Sequence, residues 1–186
     1  MLEKKLPDKL KTRLLDEADL GRIVSRMAHE MIENNKGTEQ LALIGVRTRG
    51  EYLARRIADK IKSIDGGMLP LGILDVSFYR DDTRAKLKQP QVQSTHIPFD
   101  ITDKKIILID DVLYTGRSVR AALDEIMDFG RPAKVELAVL IDRGHRELPI
   151  QPDYVGKVVT TAFDEEVKVK MTEQDGVDEV IIVIKS

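Results

Sequence analysis

Residues 106–118 read Ile-Ile-Leu-Ile-Asp-Asp-Val-Leu-Tyr-Thr-Gly-Arg-Ser. Four consecutive apolar residues have the character of a strand buried on both faces. Asp110 and Asp111 end it, and four residues later Thr115 and Gly116 open a helix expected over about 116–129, closed by Gly130 and Pro132. A buried strand running into a helix is the unit from which parallel sheets are built. The chain repeats it upstream: Leu-Ala-Leu-Ile-Gly-Val at 41–46, the turn Arg47-Thr48-Arg49-Gly50, then a helix over about 51–64. A third buried strand over 135–141 leads into Asp142-Arg143-Gly144-His145-Arg146. Strands alternating with helices predict an α/β fold, a mainly parallel central sheet flanked by helices.

Outward from this centre, residues 1–15 form a charged leader. An amphipathic helix follows over 16–35, with Leu20, Ile23, Val24, Met27, Met31 and Ile32 on its apolar face. Asp16 or Asp19 is placed to cap it, and Gly37 to end it. Its other face carries Arg22, Ser25, Arg26 and His29. Strand-like patterns at 71–80 and 95–99 enclose the polar stretch 81–93, which reads as a hairpin or flap. The tail alternates through Val167, Val169, Val180, Ile182 and Ile184.

At 186 residues the chain is expected to be one domain, since a domain takes roughly 150. Apolar residues make up 42%, and with the glycines they reach the roughly 45–50% of soluble domains; a globally disordered chain is excluded. Thirty basic against 32 acidic residues leave a charge of −2, so nucleic-acid binding requires a local patch. Absent cysteine rules out a thiolate nucleophile and sulfur-ligated zinc, and three scattered histidines offer no transition-metal spacing. No apolar run approaches the roughly 18 residues of a membrane span. The expectation is a soluble, cytoplasmic protein without a membrane partner.

In parallel α/β sheets, ligands bind beyond the carboxyl ends of the strands. There the backbone N–H groups at the start of the helix after Gly116, with the hydroxyls of Thr115 and Ser118, form a cradle for one phosphate. Asp110 and Asp111 repel that phosphate and suit sugar hydroxyls or a magnesium shell. A phosphate beside diol acceptors describes a ribose 5-phosphate. An acidic pair at a strand end also occurs in phospho-acceptor receiver domains, whereas neither G-x-x-x-x-G-K-[ST] nor G-x-G-x-x-G is present.

Residues 106–118 resemble the phosphoribosyl pyrophosphate (PRPP) motif of type I phosphoribosyltransferases. Within that superfamily, Ala28-His29-Glu30-Met31-Ile32, Arg47-Thr48-Arg49-Gly50, Tyr79-Arg80-Asp81-Asp82, Val112 to Arg117 and Asp142-Arg143-Gly144-His145-Arg146-Glu147-Leu148-Pro149-Ile150 resemble the PyrR family of pyrimidine operon regulators with uracil phosphoribosyltransferase activity. The resemblance spans about 20–157. It implies a type I phosphoribosyltransferase fold with a flap (about 79–95) and a small hood. It also implies transfer of phosphoribose from PRPP to uracil, giving UMP and diphosphate, with magnesium accompanying PRPP and held mostly indirectly by Asp110 and Asp111.

On this reading Thr48, Arg49, Gly50, Asp110, Asp111, Val112, Leu113, Tyr114, Thr115, Gly116, Arg117 and Ser118 bind PRPP or UMP. Arg49 and Arg80 receive the diphosphate, and no covalent nucleophile is needed. Asp142, Arg143, Tyr154 and Val155 flank the base, with Tyr154 stacking on it. The resemblance further implies that the protein binds a stem-loop in pyrimidine operon messenger RNA, promoted by uridine nucleotides (UMP, UTP), to cause transcription attenuation. Arg22, Ser25, Arg26, His29, His145, Arg146 and Lys157 would carry that contact, Arg146 without a part in turnover. A homodimer or dimer of dimers would double the patch. Two features depart from the family pattern: Gln151 stands where Arg is usual, and Val158-Val159-Thr160-Thr161 replaces an Asn-x-Pro-Thr-like stretch. The alternative is an enzyme alone, acting on uracil, a purine or orotate.

Overall fold

The computed structural model describes residues 9–76 and 95–184. The expected flap, with Tyr79, Arg80, Asp81 and Asp82, lies outside the described residues. Eight strands and four helices follow in the order β1 (Lys9–Leu15), α1 (Glu17–Asn35), β2 (Leu41–Val46), α2 (Arg49–Asp65), β3 (Leu71–Leu74), β4 (Lys105–Leu113), α3 (Arg117–Asp128), β5 (Lys134–Asp142), β6 (Tyr154–Val158), β7 (Glu165–Lys170), α4 (Thr172–Asp175) and β8 (Glu179–Ile184).

The central sheet has the order β3-β2-β4-β5-β6, every pair parallel. All six residues of β2 are buried, as the continuous apolar run requires of a strand covered on both faces. One face packs Ile44, Leu108, Val139 and Val46 against Val119, Ala122 and Ile126 of α3. The other packs Leu43, Ile107 and Ile109 under Val24, Met27 and Met31 of α1 and Leu53, Ile57 and Ile61 of α2. Asp16 and Asp19 both cap α1: the Asp19 N–H donates to Asp16 Oδ1 (2.8 Å), and the Asp16 N–H donates to Asp19 Oδ2 (3.2 Å). This reciprocal capping box satisfies two otherwise orphaned groups of the first turn.

The ends of the chain differ from the expectation. Residues 9–15 of the charged leader are a strand, β1, which pairs with β8; β8 pairs with β7, and all three are antiparallel. This small sheet turns Val167, Val169, Val180 and Ile182 into the α1–α2 side of the core. The alternating tail supplies the hood, and the leader completes its edge. Among the described residues, the strand-like stretch at 95–99 contributes one bridge, His96 to Ile73.

Two glycines set the separation between sheet and helices where the loops meet. A Cβ on Gly50 would lie 2.6 Å from the Ile109 carbonyl oxygen, so only glycine lets α2 begin against the end of β4. Gly116 adopts φ 91°, the left-handed conformation that turns β4 into α3. Together they bring Arg49 and the 110–118 loop to one rim.

Candidate active site

Beyond the carboxyl ends of β2 and β4 and beneath the hood lies a cavity of about 780 Å³. Arg47 and Arg49 line it from the β2–α2 turn, residues 110–119 from the β4–α3 loop, Arg143 from the end of β5, and Val167, Lys168, Val169, Lys170 and Asp175 from the hood.

The 110–118 loop is held by its own carboxylates and by backbone. Asp110 Oδ1 accepts from the Asp111 N–H, and Asp111 Oδ1 from the Val112 N–H, both at 2.9 Å. Segment 143–150 lies along the loop: Arg143 N–H donates to the Leu113 carbonyl (3.1 Å), and Glu147 and Leu148 N–H groups donate to that of Thr115 (3.0 and 3.2 Å). Arg117 Nε donates to Glu147 at 2.6 Å. The cap position of α3 is Gly116, which supplies no side-chain acceptor, so the first turn presents its N–H groups to the cavity rim as anion donors. Burial raises the Asp111 carboxyl above its ordinary range, while a hydrogen bond with Asp110 and the charge of Arg49 oppose that rise.

From the β2–α2 turn, Arg49 Nε and Nη2 donate to Asp175 Oδ2 (3.1 Å) and Oδ1 (2.8 Å). This bond holds the Asp175 carboxyl below its usual value. Tyr52 donates to Gln174, and Arg56 forks onto Glu173 and Asp178 at 2.6–2.9 Å. Arg49, Tyr52 and Arg56 share one face of α2, at offsets of three and seven residues, and seat α4 there.

The phosphoribosyl transferase domain family matches residues 11–174. "Bifunctional protein PyrR" of Halalkalibacterium halodurans is 56% identical over 171 residues, covering 91% of this chain and 95% of that relative. Its counterpart in Acetivibrio thermocellus is 58% identical, covering 92% and 94%. The chain belongs to the PyrR family of phosphoribosyltransferases. A hypoxanthine-guanine phosphoribosyltransferase from Bacillus anthracis matches the fold with TM-score 0.73 at 19% identity, over 95% of this chain and all of that one.

Within this PyrR-family chain the expected base residues separate. Tyr154 is 2% exposed and points into the core beneath α1, where its hydroxyl donates to Glu136 Oε2 (2.7 Å) and accepts from Asn35 (3.0 Å). It lines neither cavity, and the expectation that it stacks on the base is corrected. The cause is β-alternation: the pleat turns Tyr154 inward and Val155 outward. Burial raises the Tyr154 hydroxyl, with the Glu136 carboxylate adding to the shift. Val155 and Asp142 line a second cavity, of about 570 Å³, together with His145, Arg146, Gln151 and 158–161. Asp142 spends both oxygens locally, accepting from the Gly144 N–H (3.0 Å) and from Arg146 (2.6 Å). Arg143 borders both cavities. Its guanidinium lies 4.0 Å over the Tyr114 ring and donates to Thr161 Oγ1. Val167 and Val169, whose alternation marks a strand in the sequence but no site, line the first cavity together with Lys168.

The residues expected on RNA also divide. Arg22 is exposed and paired with Asp19; Arg26 pairs with Glu30 and donates to the Val155 and Gly156 carbonyls (2.9 and 2.7 Å). His29 Nδ1 donates to the Ser25 carbonyl, and Lys157 Nζ to that of Leu14. Arg26 thus joins the basic face of α1 to β6, and Val155 continues it to the second cavity. The two departures from the family pattern, Gln151 and 158–161, line that cavity beside His145 and Arg146. His145 donates through Nε2 to the Thr161 carbonyl. Arg146 is embedded: it donates to the carbonyls of Ile150 (3.0 Å) and Tyr114 (2.9 Å) and to Asp142. These contacts tie the Arg146 side chain to the 113–114 carbonyls of the β4–α3 loop.

Among the described residues no group of three or more His, Asp or Glu side chains is placed to hold a metal, and no helix is long and apolar enough to cross a membrane.

Proposed function

We propose that this chain transfers phosphoribose from PRPP to uracil, giving UMP and diphosphate, and that it regulates pyrimidine operon expression by binding its messenger in a uridine-nucleotide-dependent way. The observation that carries the first half is one cavity lined by the start of α3, by Asp110 and Asp111 and by Arg49. In kind those groups match the parts of one molecule: 5-phosphate, ribose diol and diphosphate.

The α3 N–H groups and the hydroxyls of Thr115 and Ser118 hold the 5-phosphate, and Asp110 and Asp111 hold the ribose hydroxyls. The C1–diphosphate bond lengthens and charge separates: positive at the ribose ring, negative on the leaving group. Arg49, with Thr48 and Gly50, stabilises the negative end. A site of fixed charges needs no reorganisation as that charge develops. Asp110 and Asp111, each with one carboxylate oxygen accepting from a backbone N–H, would hold magnesium mostly through water, and the ion would supply positive charge against the diphosphate. The side chains of the hood and of Arg143 enclose the base. In solution, PRPP, uracil and magnesium should release diphosphate, and Asp110→Asn with Asp111→Asn should lower that rate by at least about 10²-fold; no turnover by the unaltered protein overturns the reading.

RNA binding is supported by the basic face of α1, where Arg26 reaches the Val155 and Gly156 carbonyls of β6, with Arg22, His29, Lys157 and His145 as the further proposed contacts on a chain of nearly balanced charge. Two copies in a homodimer would present two such faces. UMP should tighten binding to the operon leader stem-loop in a filter assay, with affinity falling steeply as salt rises.

A further inference from the structure

Arg49 has five N–H donors in a planar fork. Two, on Nε and Nη2, are taken by Asp175 at 3.1 and 2.8 Å. The other three, both on Nη1 and the second on Nη2, have no bond to Asp175, and the Arg49 side chain is one-third exposed in the cavity wall. Asp175 is itself fixed independently of Arg49: its Oδ2 also accepts from the Met171 N–H at 2.9 Å, and Met171 is wholly buried. On either side Gln174, Glu173 and Asp178 are tied to Tyr52 and Arg56 of α2. The carboxylate therefore belongs to a seated element and stays in place when an anion enters.

We propose that Asp175 is a positioning residue for the diphosphate end of PRPP: it occupies the Nε–Nη2 edge of Arg49 and so orients the guanidinium with its Nη1 donors left for the diphosphate. The inference rests on the transferase reading and names a hood residue as part of its donor site. Arg49 is long and flexible; unheld, it must be ordered when PRPP binds, and that loss of rotamer freedom subtracts from affinity. A fork held along one edge is oriented beforehand. The negative charge of Asp175 opposes diphosphate, but its bidentate bond to Arg49 places the opposite charge between the two anions. The base site does not use this contact, so its effect falls on PRPP alone.

Steady-state kinetics with each substrate varied tests this. Asp175→Asn should raise the KM for PRPP about tenfold and leave the KM for uracil within about twofold. Asp175→Glu should recover part of the loss. In an Arg49→Lys background, whose ammonium lacks the fork, adding Asp175→Asn should change the PRPP KM by less than about twofold. A merely structural role in the hood predicts a rise in both KM values and equal losses in both backgrounds; that result overturns the proposal, as does an Asp175→Asn protein that binds PRPP as well as or better than the unaltered one. Turnover of uracil by the unaltered protein reports separately on the transferase reading. Calorimetric binding of PRPP alone compares the two proteins whatever the acceptor base.

Discussion

Two parts of the cavity wall, its phosphate end and its diphosphate end after the groups they are proposed to take, are built in different ways. At the phosphate end the proposed ligands are largely backbone, and so is most of what holds them: Gly116 sets the turn, N–H groups of 143, 147 and 148 fasten the carbonyls of 113 and 115, and the Arg146 side chain fastens that of 114. At the diphosphate end the proposed ligands include the Arg49 side chain, which is held by an ion pair that joins α2 to the hood. A backbone cradle is fixed once the chain folds. Ion pairs between side chains depend on the charge of both partners and can be titrated away. The phosphate end therefore anchors UMP and PRPP alike, and the diphosphate end distinguishes them.

The largest effect is expected from breaking the backbone end. A Cβ at Gly116 would meet Ile150 at 3.3 Å, and φ 91° is a conformation that β-branched residues avoid. Gly116→Val should reduce kcat/KM by about 10²-fold or more, in a protein whose circular dichroism stays that of the folded chain. Arg146→Ala leaves carbonyls of the phosphate loop and Asp142 without their donor. It should weaken PRPP binding about tenfold as well as RNA binding, whereas Arg22→Gln, far from the loop, should weaken RNA binding alone. A pair of variants with matching kinetic profiles would dissolve this distinction.

The smallest effect is expected from the ion pairs seating the hood, and pH exposes it. The Arg56 fork depresses the Asp178 carboxyl from an ordinary 3.8 to about 2 and lowers that of Glu173 as well. A depressed carboxyl contributes stability that is present above its unfolded value and is lost as pH falls toward the folded one. The melting temperature should therefore decline between about pH 4 and pH 2, and less steeply in Arg56→Gln, which starts lower by about 1–3 kcal/mol. Parallel curves would show that this pair does not seat the hood.

The same contrast explains how much the sequence revealed. The phosphate end is thirteen contiguous residues whose apolar run, acids, hydroxyl and glycine each have a local meaning, and β2, α2, β4 and α3 follow from apolar periodicity. Asp175 lies 126 residues from Arg49, and Glu173 lies 117 from Arg56. No local pattern couples charges so far apart, and a hood that borrows its edge strand from residues 9–15 is decided by tertiary packing. Tyr154 misled because an aromatic near a base site suggests stacking. Its place in the pleat, with Glu136 and Asn35 beneath it to satisfy a hydroxyl, sends it to the core.

The most direct test of a cavity with one fixed end and one adjustable end is calorimetric binding of UMP and of PRPP, with magnesium, to the unaltered protein and to Arg49→Lys. UMP carries only the 5-phosphate, and its affinity should change by no more than about twofold. PRPP, which carries the diphosphate as well, should bind about tenfold more weakly. Equal losses for the two ligands, or no loss for PRPP, would contradict the account.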